Sequence, residues 1–170
     1  MERKVLSLLV ANQFGVLTRV SNLFGQRGFN IDSLAVGETE NPRFSRITIT
    51  THGNEAIINQ IKLQLAKLED VKNVLEIPQD QLFIREVVLI KCEPKESQIA
   101  AFLHAVEDFG GRCQIIEGSH YIVEGSHYIV ELTDTTDSIN YFIEELREYH
   151  ITEISRTGGV ALQLSKETVY

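Results

Sequence analysis

Hydrophobic residues alternate along this chain between runs of strand length and stripes at helical spacing. The first half contains four apolar runs that predict strands, at residues 5–10, 31–36, 44–51 and 71–77. Apolar positions three and four residues apart predict two helices, over residues 16–24 and 57–68. Gly28 is placed to end the first helix, and Asn54 is a suitable N-cap for the second. The first half therefore predicts the order strand, helix, strand, strand, helix, strand.

The second half repeats this order of elements. Its apolar runs predict strands at residues 87–92, 113–116 and 128–132, and a final strand over 152–154 and 160–164 that bends at Gly158 and Gly159. Helical stripes cover residues 99–109 and, after a cap at Asp137, residues 139–146. The economical fold is α+β, with two consecutive ferredoxin-like βαββαβ domains at 1–78 and 79–170.

A tandem repeat interrupts this pattern. The segment EGSHYIV occurs at residues 117–123 and again at 124–130. Because seven is an odd number, a regular strand would present the two copies to opposite faces, so at least one copy is expected to be a loop, a bulge or a separate strand. His120 and His127 lack a third ligand at any familiar spacing. We therefore favour a slipped duplication and predict no metal site.

Composition and charge narrow the class of protein. Hydrophobic residues make up 43% of the 170 residues and charged residues 24%, which is typical of a soluble globular chain. The net charge is −8, yet residues 1–78 carry nine basic and eight acidic side chains, whereas 79–170 carry seven and sixteen. This change at Pro78 supports a domain boundary there, and the acidic half disfavours nucleic acid as a partner.

The chain also lacks the signals of a membrane or secreted protein. No apolar run approaches the length of a membrane span, and the N-terminus does not resemble a secretory signal. Two cysteines cannot form a disulfide framework. We therefore expect a cytoplasmic protein without membrane contact.

Motifs for catalysis are missing from the sequence. It contains no phosphate-binding G-x-x-x-x-G-K-[ST], no G-x-G-x-x-G, no G-x-S-x-G and no H-E-x-x-H. Cys92 and Cys113 fall in predicted strands and are expected to be buried, while His52, His104 and His150 lie near element ends or on a helix. Nothing combines a nucleophile, a base and an orienting group. We predict no catalytic residue and no cofactor on this chain.

The segment NQFGVLTRVSNLFGQRGFNI, residues 12–31, has the features of a ligand site. Asn12 and Gly15 shape the turn into the first predicted helix, whose unpaired N–H groups and positive dipole end attract a carboxylate. Gly15 lets a ligand approach the backbone, and Asn12 adds an uncharged donor and acceptor. Asn30 lies at the far end of the same helix. In the alternative, Gly15 only starts the helix and both asparagines only satisfy turns.

The spacing N-x-x-G-V-L, followed by a helix and then by R-G-F-N-I-x-S-L, resembles an ACT domain, the amino-acid-sensing ferredoxin-like module. More narrowly, it resembles the small regulatory subunit of acetolactate synthase (acetohydroxyacid synthase). Further matching segments are NLFGQRGFNIDSLAVGETE (22–40), PRFSRITI (42–49), KLEDVKNV (67–74), REVVLIK (85–91) and ITEISRTGGVAL (151–162). Residues 95–150 match less well, and the tandem repeat lengthens one hairpin relative to the family.

The resemblance implies a non-catalytic partner of an enzyme. In this family the large subunit carries thiamine diphosphate, Mg²⁺ and FAD and condenses pyruvate with pyruvate or 2-oxobutyrate. The small subunit raises that activity and confers feedback inhibition by valine or another branched-chain amino acid, in the biosynthesis of these amino acids, isoleucine included. Members form homodimers in which two ACT sheets join edge to edge, with the effector between the protomers.

The same resemblance assigns the effector site to particular residues. Asn12 and Gly15 of one chain and Asn30 of the other would bind the amino-acid head group. The residues placed near the aliphatic side chain are Phe14, Val16, Leu17 and Ile31. Two other functions stay open on this fold: a free-standing ACT-type sensor controlling another enzyme or transcription, and a small enzyme on the same scaffold.

Overall fold

The computed structural model describes residues 2–116 and 127–165, which form α+β structure in two units. The strands are β1 (Glu2–Ala11), β2 (Ser33–Glu38), β3 (Phe44–Gly53), β4 (Val71–Ile77), β5 (Leu82–Cys92), β6 (Arg112–Ile116), β7 (His127–Asp134), β8 (Ile151–Arg156) and β9 (Val160–Gln163). The helices are α1 (Val16–Gln26), α2 (Glu55–Leu65), α3 (Ile99–Asp108) and α4 (Thr136–Leu146). None of these four helices is long and apolar enough to cross a membrane. The two predicted βαββαβ orders are confirmed.

The first sheet has the strand order β2-β3-β1-β4, and all neighbouring strands are antiparallel. Helices α1 and α2 cover one face, because their apolar stripes bury residues that pack on the sheet. This core consists mainly of Leu6, Leu8, Val10, Val16, Val20, Phe24, Ile47, Ile49, Ile58, Ile61 and Leu65. The order leaves β2 and β4 as the edge strands of this sheet.

Local signals start and end the two helices as predicted. Gly28 has φ +69° after α1, and Phe29 N–H donates to Phe24 O at 3.0 Å, which closes the last turn. At α2, the Asn54 side chain accepts a hydrogen bond from Ile57 N–H at 2.9 Å. The end of α1 and the start of α2 are therefore each fixed by a local hydrogen bond.

The end of the chain differs from the prediction of one bent final strand. Strands β8 and β9 are separate, and Gly158 between them has φ +74°. Strand β9 belongs to the first unit, where Ala161 packs with Val5, Ile77 and Ile84 on the sheet face away from the helices. The first compact unit thus runs to Ile84 and resumes at Gly159, whereas the charge pattern had indicated a division at residue 78. Apolar burial rather than charge sets this boundary.

The second sheet has five strands. Four of them follow the order β6-β7-β5-β8, β9 also pairs with β5, and α3 and α4 pack on the sheet. Helix α4 is capped by Thr135, whose side chain accepts from Ser138 N–H at 3.3 Å, so the predicted cap Asp137 lies in the first turn instead. Arg156, in the family-like Arg-Thr-Gly segment, donates from Nε and Nη2 to the carboxylate of Glu86 at 2.7 and 3.0 Å. These contacts give that segment a structural role within its own unit.

The tandem repeat is described only in part. Its second copy contributes residues 127–130 to the start of β7, whereas the first copy, with His120, lies outside the described residues. His127 Nδ1 lies 3.0 Å from Glu93 Oε1. Among the side chains that the structure describes, no group of three or more His, Cys, Asp or Glu is arranged to hold a metal ion.

Two glycine-to-alanine substitutions should change stability in opposite directions. A methyl group at Gly159 would lie 2.9 Å from Ile84 Cγ1 and closer still to Cδ1, so we expect Gly159→Ala to cost about 1–3 kcal/mol by overpacking. Gly25, within α1, has open space around it, so Gly25→Ala should stabilise the fold by roughly 0.5–1 kcal/mol through helix propensity.

Thermal or urea unfolding followed by circular dichroism measures both effects on the same scale. Equal stability of the two variants would contradict the packing of β9 against Ile84.

Candidate effector site

The N-terminus of α1 has no negative charge of its own. Gly15 is the N-cap residue with φ +82°, its position carries no side chain to cap the helix, and the first turn contains no acidic residue. A conformation with this φ strains residues that carry a Cβ, which accounts for glycine here. The positive end of the helix dipole is therefore not neutralised by an acidic residue in its first turn.

A guanidinium group adds positive charge at the same place. Arg19 Nε and Nη2 lie 2.7 and 2.6 Å from Asp70 Oδ2, so Asp70 fixes the side chain's direction. A Cβ built on Gly15 would lie 3.0 Å from Arg19 Nη1. The third nitrogen of the guanidinium thus lies beside the glycine, where a carboxylate at the helix start would meet it.

Asn12 is held by the loop that precedes β3. Its Nδ2 donates to Glu38 Oε1 and to Pro42 O, each at 3.0 Å, and its backbone N–H donates to Arg43 O at 2.8 Å. Both amide hydrogens are therefore used within the chain, which leaves Oδ1 as the acceptor that Asn12 offers to a ligand.

The predicted apolar residues of the site have very different exposure. Phe14 is fully exposed and Leu17 is 42% exposed, so both offer apolar surface beside Gly15. Val16 is only 4% exposed and packs in the core, which leaves its backbone rather than its side chain for a ligand. Ile31, at the other end of α1, is half-buried against the core.

Asn30 belongs to a second polar group at the far end of α1. Its Nδ2 donates to Asp32 Oδ1 at 2.7 Å, and its carbonyl accepts from Thr51 Oγ1 at 2.6 Å. The other Asp32 oxygen lies 2.6 Å from His52 Nδ1. Asp32 thus fixes the Asn30 side-chain amide, and β3 holds the Asn30 carbonyl through Thr51, while the Asn30 side chain stays at the surface.

The structure does not bring the two groups together within one chain. Helix α1 has eleven residues, which at 1.5 Å per residue makes it about 16 Å long, and Gly15 and Asn30 lie beyond its opposite ends. The register of β1 and β3 also places the two groups at opposite ends of the sheet. Ala11, beside Asn12, pairs with Phe44 at one end of β1, whereas His52 pairs with Arg3 near the other end.

Sequence reasoning identified the asparagines and Gly15 but missed the charged residues beside them. Arg19 follows Gly15 by four residues, the spacing that places two side chains on one helix face. Asp32 follows Asn30 by two. The sequence alone could have revealed both spacings. Asp70 and His52 are far from the site in sequence, so only the fold shows that they contact it.

The cysteines fit a structural role. Cys92 is fully buried, and burial raises the pKa of its thiol to about 11. Burial also raises the pKa of Cys113. Since the thiolate is the nucleophile, a raised pKa lowers the thiolate fraction of both groups near neutral pH.

Family models match both halves of the chain. Residues 6–73 match the AHAS small subunit-like ACT domain, and residues 85–165 match the small subunit of acetolactate synthase. Residues 74–84 lie between the two matches, and the second match begins directly after Ile84, at the boundary between the compact units.

Individual relatives agree along nearly the whole length. The acetolactate synthase isozyme 3 small subunit of Salmonella typhimurium is 39% identical over 161 residues, covering 94% of each chain. A probable acetolactate synthase small subunit from Methanothermobacter thermautotrophicus is 36% identical, covering 97% of this chain and 95% of its own. The crystal structure of the acetolactate synthase small subunit from Thermotoga maritima is 37% identical with a TM-score of 0.82, over 99% of this chain and 100% of the other.

Proposed function

The chain belongs to the family of acetolactate synthase small subunits, and we propose that it is a non-catalytic regulatory subunit that activates the large subunit and mediates feedback inhibition by valine or another branched-chain amino acid. The thiamine diphosphate, Mg²⁺ and FAD of the reaction would all reside on that large subunit. The observation that carries the proposal is the pair of fixed polar groups at the two ends of α1, one with positive charge at Gly15 and one around Asn30.

A homodimer would join these two groups. Strand β2 is an edge strand, and its free backbone groups can pair with β2 of a second copy about a two-fold axis. With the two-fold axis at the middle of β2, antiparallel pairing would set Ser33, the first residue of β2, opposite the partner's last one, Glu38. Since Asn12 donates to Glu38 and Asn30 precedes Ser33 by three residues, Asn12 of one chain would lie near Asn30 of the partner subunit.

The chemistry of the joined site fits a small apolar amino acid. The effector's carboxylate would bind the backbone N–H groups after Gly15 and the Arg19 guanidinium. Its aliphatic side chain would contact Phe14 and Leu17 on one chain and Ile31 on the other. Such a surface discriminates weakly among valine, leucine and isoleucine, because one methylene is worth only about 1–3 kcal/mol.

A free-standing ACT sensor is the second candidate. The match of residues 85–165 to the small subunit of acetolactate synthase favours the first, because a sensor would require only the ACT half. Co-purification separates the two: a large flavin-containing partner supports the regulatory subunit, and its absence supports the sensor.

We expect the intact chain to sediment as a dimer at micromolar concentration. The Asn30 group is useful only when a second copy supplies it, and two small units gain burial by pairing their sheets. Analytical ultracentrifugation measures this directly. A monomer at that concentration would count against a shared site.

We expect Gly15→Asp to abolish inhibition by valine while the subunit still activates its partner. The introduced carboxylate would lie beside Arg19, where the effector's own carboxylate is proposed to bind, so charge repulsion adds to steric exclusion. Gly15→Ala is the matched control, because it shares the backbone strain at φ +82° without the charge. Asn30→Ala should weaken inhibition more mildly, through lost hydrogen bonds worth roughly 0.5–1.5 kcal/mol each.

The measurement for all three variants is the activity of the complex with the large subunit at increasing concentrations of valine. If Gly15→Asp activates and stays as valine-sensitive as the parent, the site is misplaced.

A further inference from the structure

The polar group at the end of α1 presents oxygen atoms to solvent. Asn30 directs its Nδ2 inward to Asp32, which leaves Asn30 Oδ1 as an acceptor. Asp32 accepts one bond on each oxygen, from Asn30 and from His52, and a carboxylate retains further acceptor positions. Its side chain is 30% exposed, so these positions are reachable. The group therefore suits a cationic donor rather than an anion.

Segment 30–32 is also held in place before any ligand arrives. Thr51 Oγ1 donates to Asn30 O at 2.6 Å, and Asp32 N–H donates to Thr50 O at 2.9 Å. The segment is thus tied to β3 by two hydrogen bonds. A ligand that binds these oxygens therefore loses little binding free energy to the ordering of the segment.

We propose that Asp32, together with Asn30 Oδ1, binds the α-ammonium group of the effector and is the residue that makes the site specific for amino acids. The inference rests on the proposed function, because it takes the effector to lie between the two chains. The two ends of α1 then have opposite tasks: Arg19 and the helix start bind the carboxylate on one chain, and Asp32 of the partner subunit binds the ammonium.

This specificity matters because the substrates of the proposed partner enzyme are 2-oxo acids. Pyruvate and 2-oxobutyrate carry a carboxylate and a small apolar group but no ammonium. A site that recognised only those two features would also bind substrate. The partly exposed Asp32 carboxylate favours the amino acid, because it forms an ion pair with the ammonium that neither an oxo acid nor a hydroxy acid can form.

Glu38 is the other carboxylate near the proposed contact between the two chains that could bind the ammonium group. Its Oε1 already accepts the Asn12 amide at 3.0 Å, and its side chain is exposed. Glu38→Gln therefore makes a matched control for Asp32→Asn, since both remove one negative charge and keep an acceptor oxygen.

The experiment is calorimetric titration of the intact chain with L-valine and with L-2-hydroxyisovalerate, in which a neutral hydroxyl replaces the ammonium. The parent should bind valine at least tenfold more tightly than the hydroxy acid. Asp32→Asn should weaken the binding of valine roughly tenfold or more, and it should change the affinity for the hydroxy acid by no more than about twofold. Glu38→Gln should change both ligands by a similar factor.

Three results would overturn the assignment of Asp32. In the first, the parent binds valine and the hydroxy acid equally tightly. In the second, Asp32→Asn weakens the binding of both ligands by the same factor. In the third, Glu38→Gln rather than Asp32→Asn weakens the binding of valine alone. The first needs no variant, so it holds even if Asp32→Asn fails to fold. A parent that binds none of valine, leucine and isoleucine contradicts the proposed function itself, which separates the two failures.

Discussion

The length of helix α1 is the constraint on which the account of the site depends. Val16, Val20 and Phe24 anchor the helix in the core along its whole length, so its two ends stay about 16 Å apart. An amino-acid head group is far smaller than that distance. Polar groups fixed at both ends can therefore contact one small ligand only if a second chain supplies one of them, so the proposed site would link effector binding to assembly.

A carboxylate holds the polar group at each end of the helix, from a distant turn at one end and from two residues along the chain at the other. Asp70 holds Arg19 beside Gly15, and Asp32 holds the Asn30 amide. Such preorganisation lowers the cost of ordering side chains when a ligand binds. In the proposed dimer it would also make the junction responsive to the effector, since a ligand that contacts both chains stabilises one arrangement of them by its differential affinity. A coupling of about 1–3 kcal/mol is typical of allosteric proteins.

The sequence was sufficient for the α+β fold because its local signals agree with one another. Apolar spacing, the cap at Asn54 and the stop at Gly28 all describe the same helices, and both βαββαβ orders follow. It was insufficient for β9, because nothing in residues 160–163 shows that this segment pairs with β5 as a separate strand and packs Ala161 on Val5 and Ile77. The charge partners of the site, Asp70 and His52, likewise depend on contacts between distant segments, which no local pattern records.

Mixing two defective variants tests the shared site most directly. Gly15→Asp and Asn30→Ala chains are unfolded together, refolded as a mixture and titrated with valine. In a mixed dimer both substitutions fall in one site, and the other site keeps an intact Gly15 from one chain and an intact Asn30 from the other. The account predicts that parental-affinity valine binding returns in the mixture, at one site per mixed dimer. The contrary result is a mixture that is shown to contain mixed dimers but binds valine no more tightly than the separate variants do. That result would contradict the shared site.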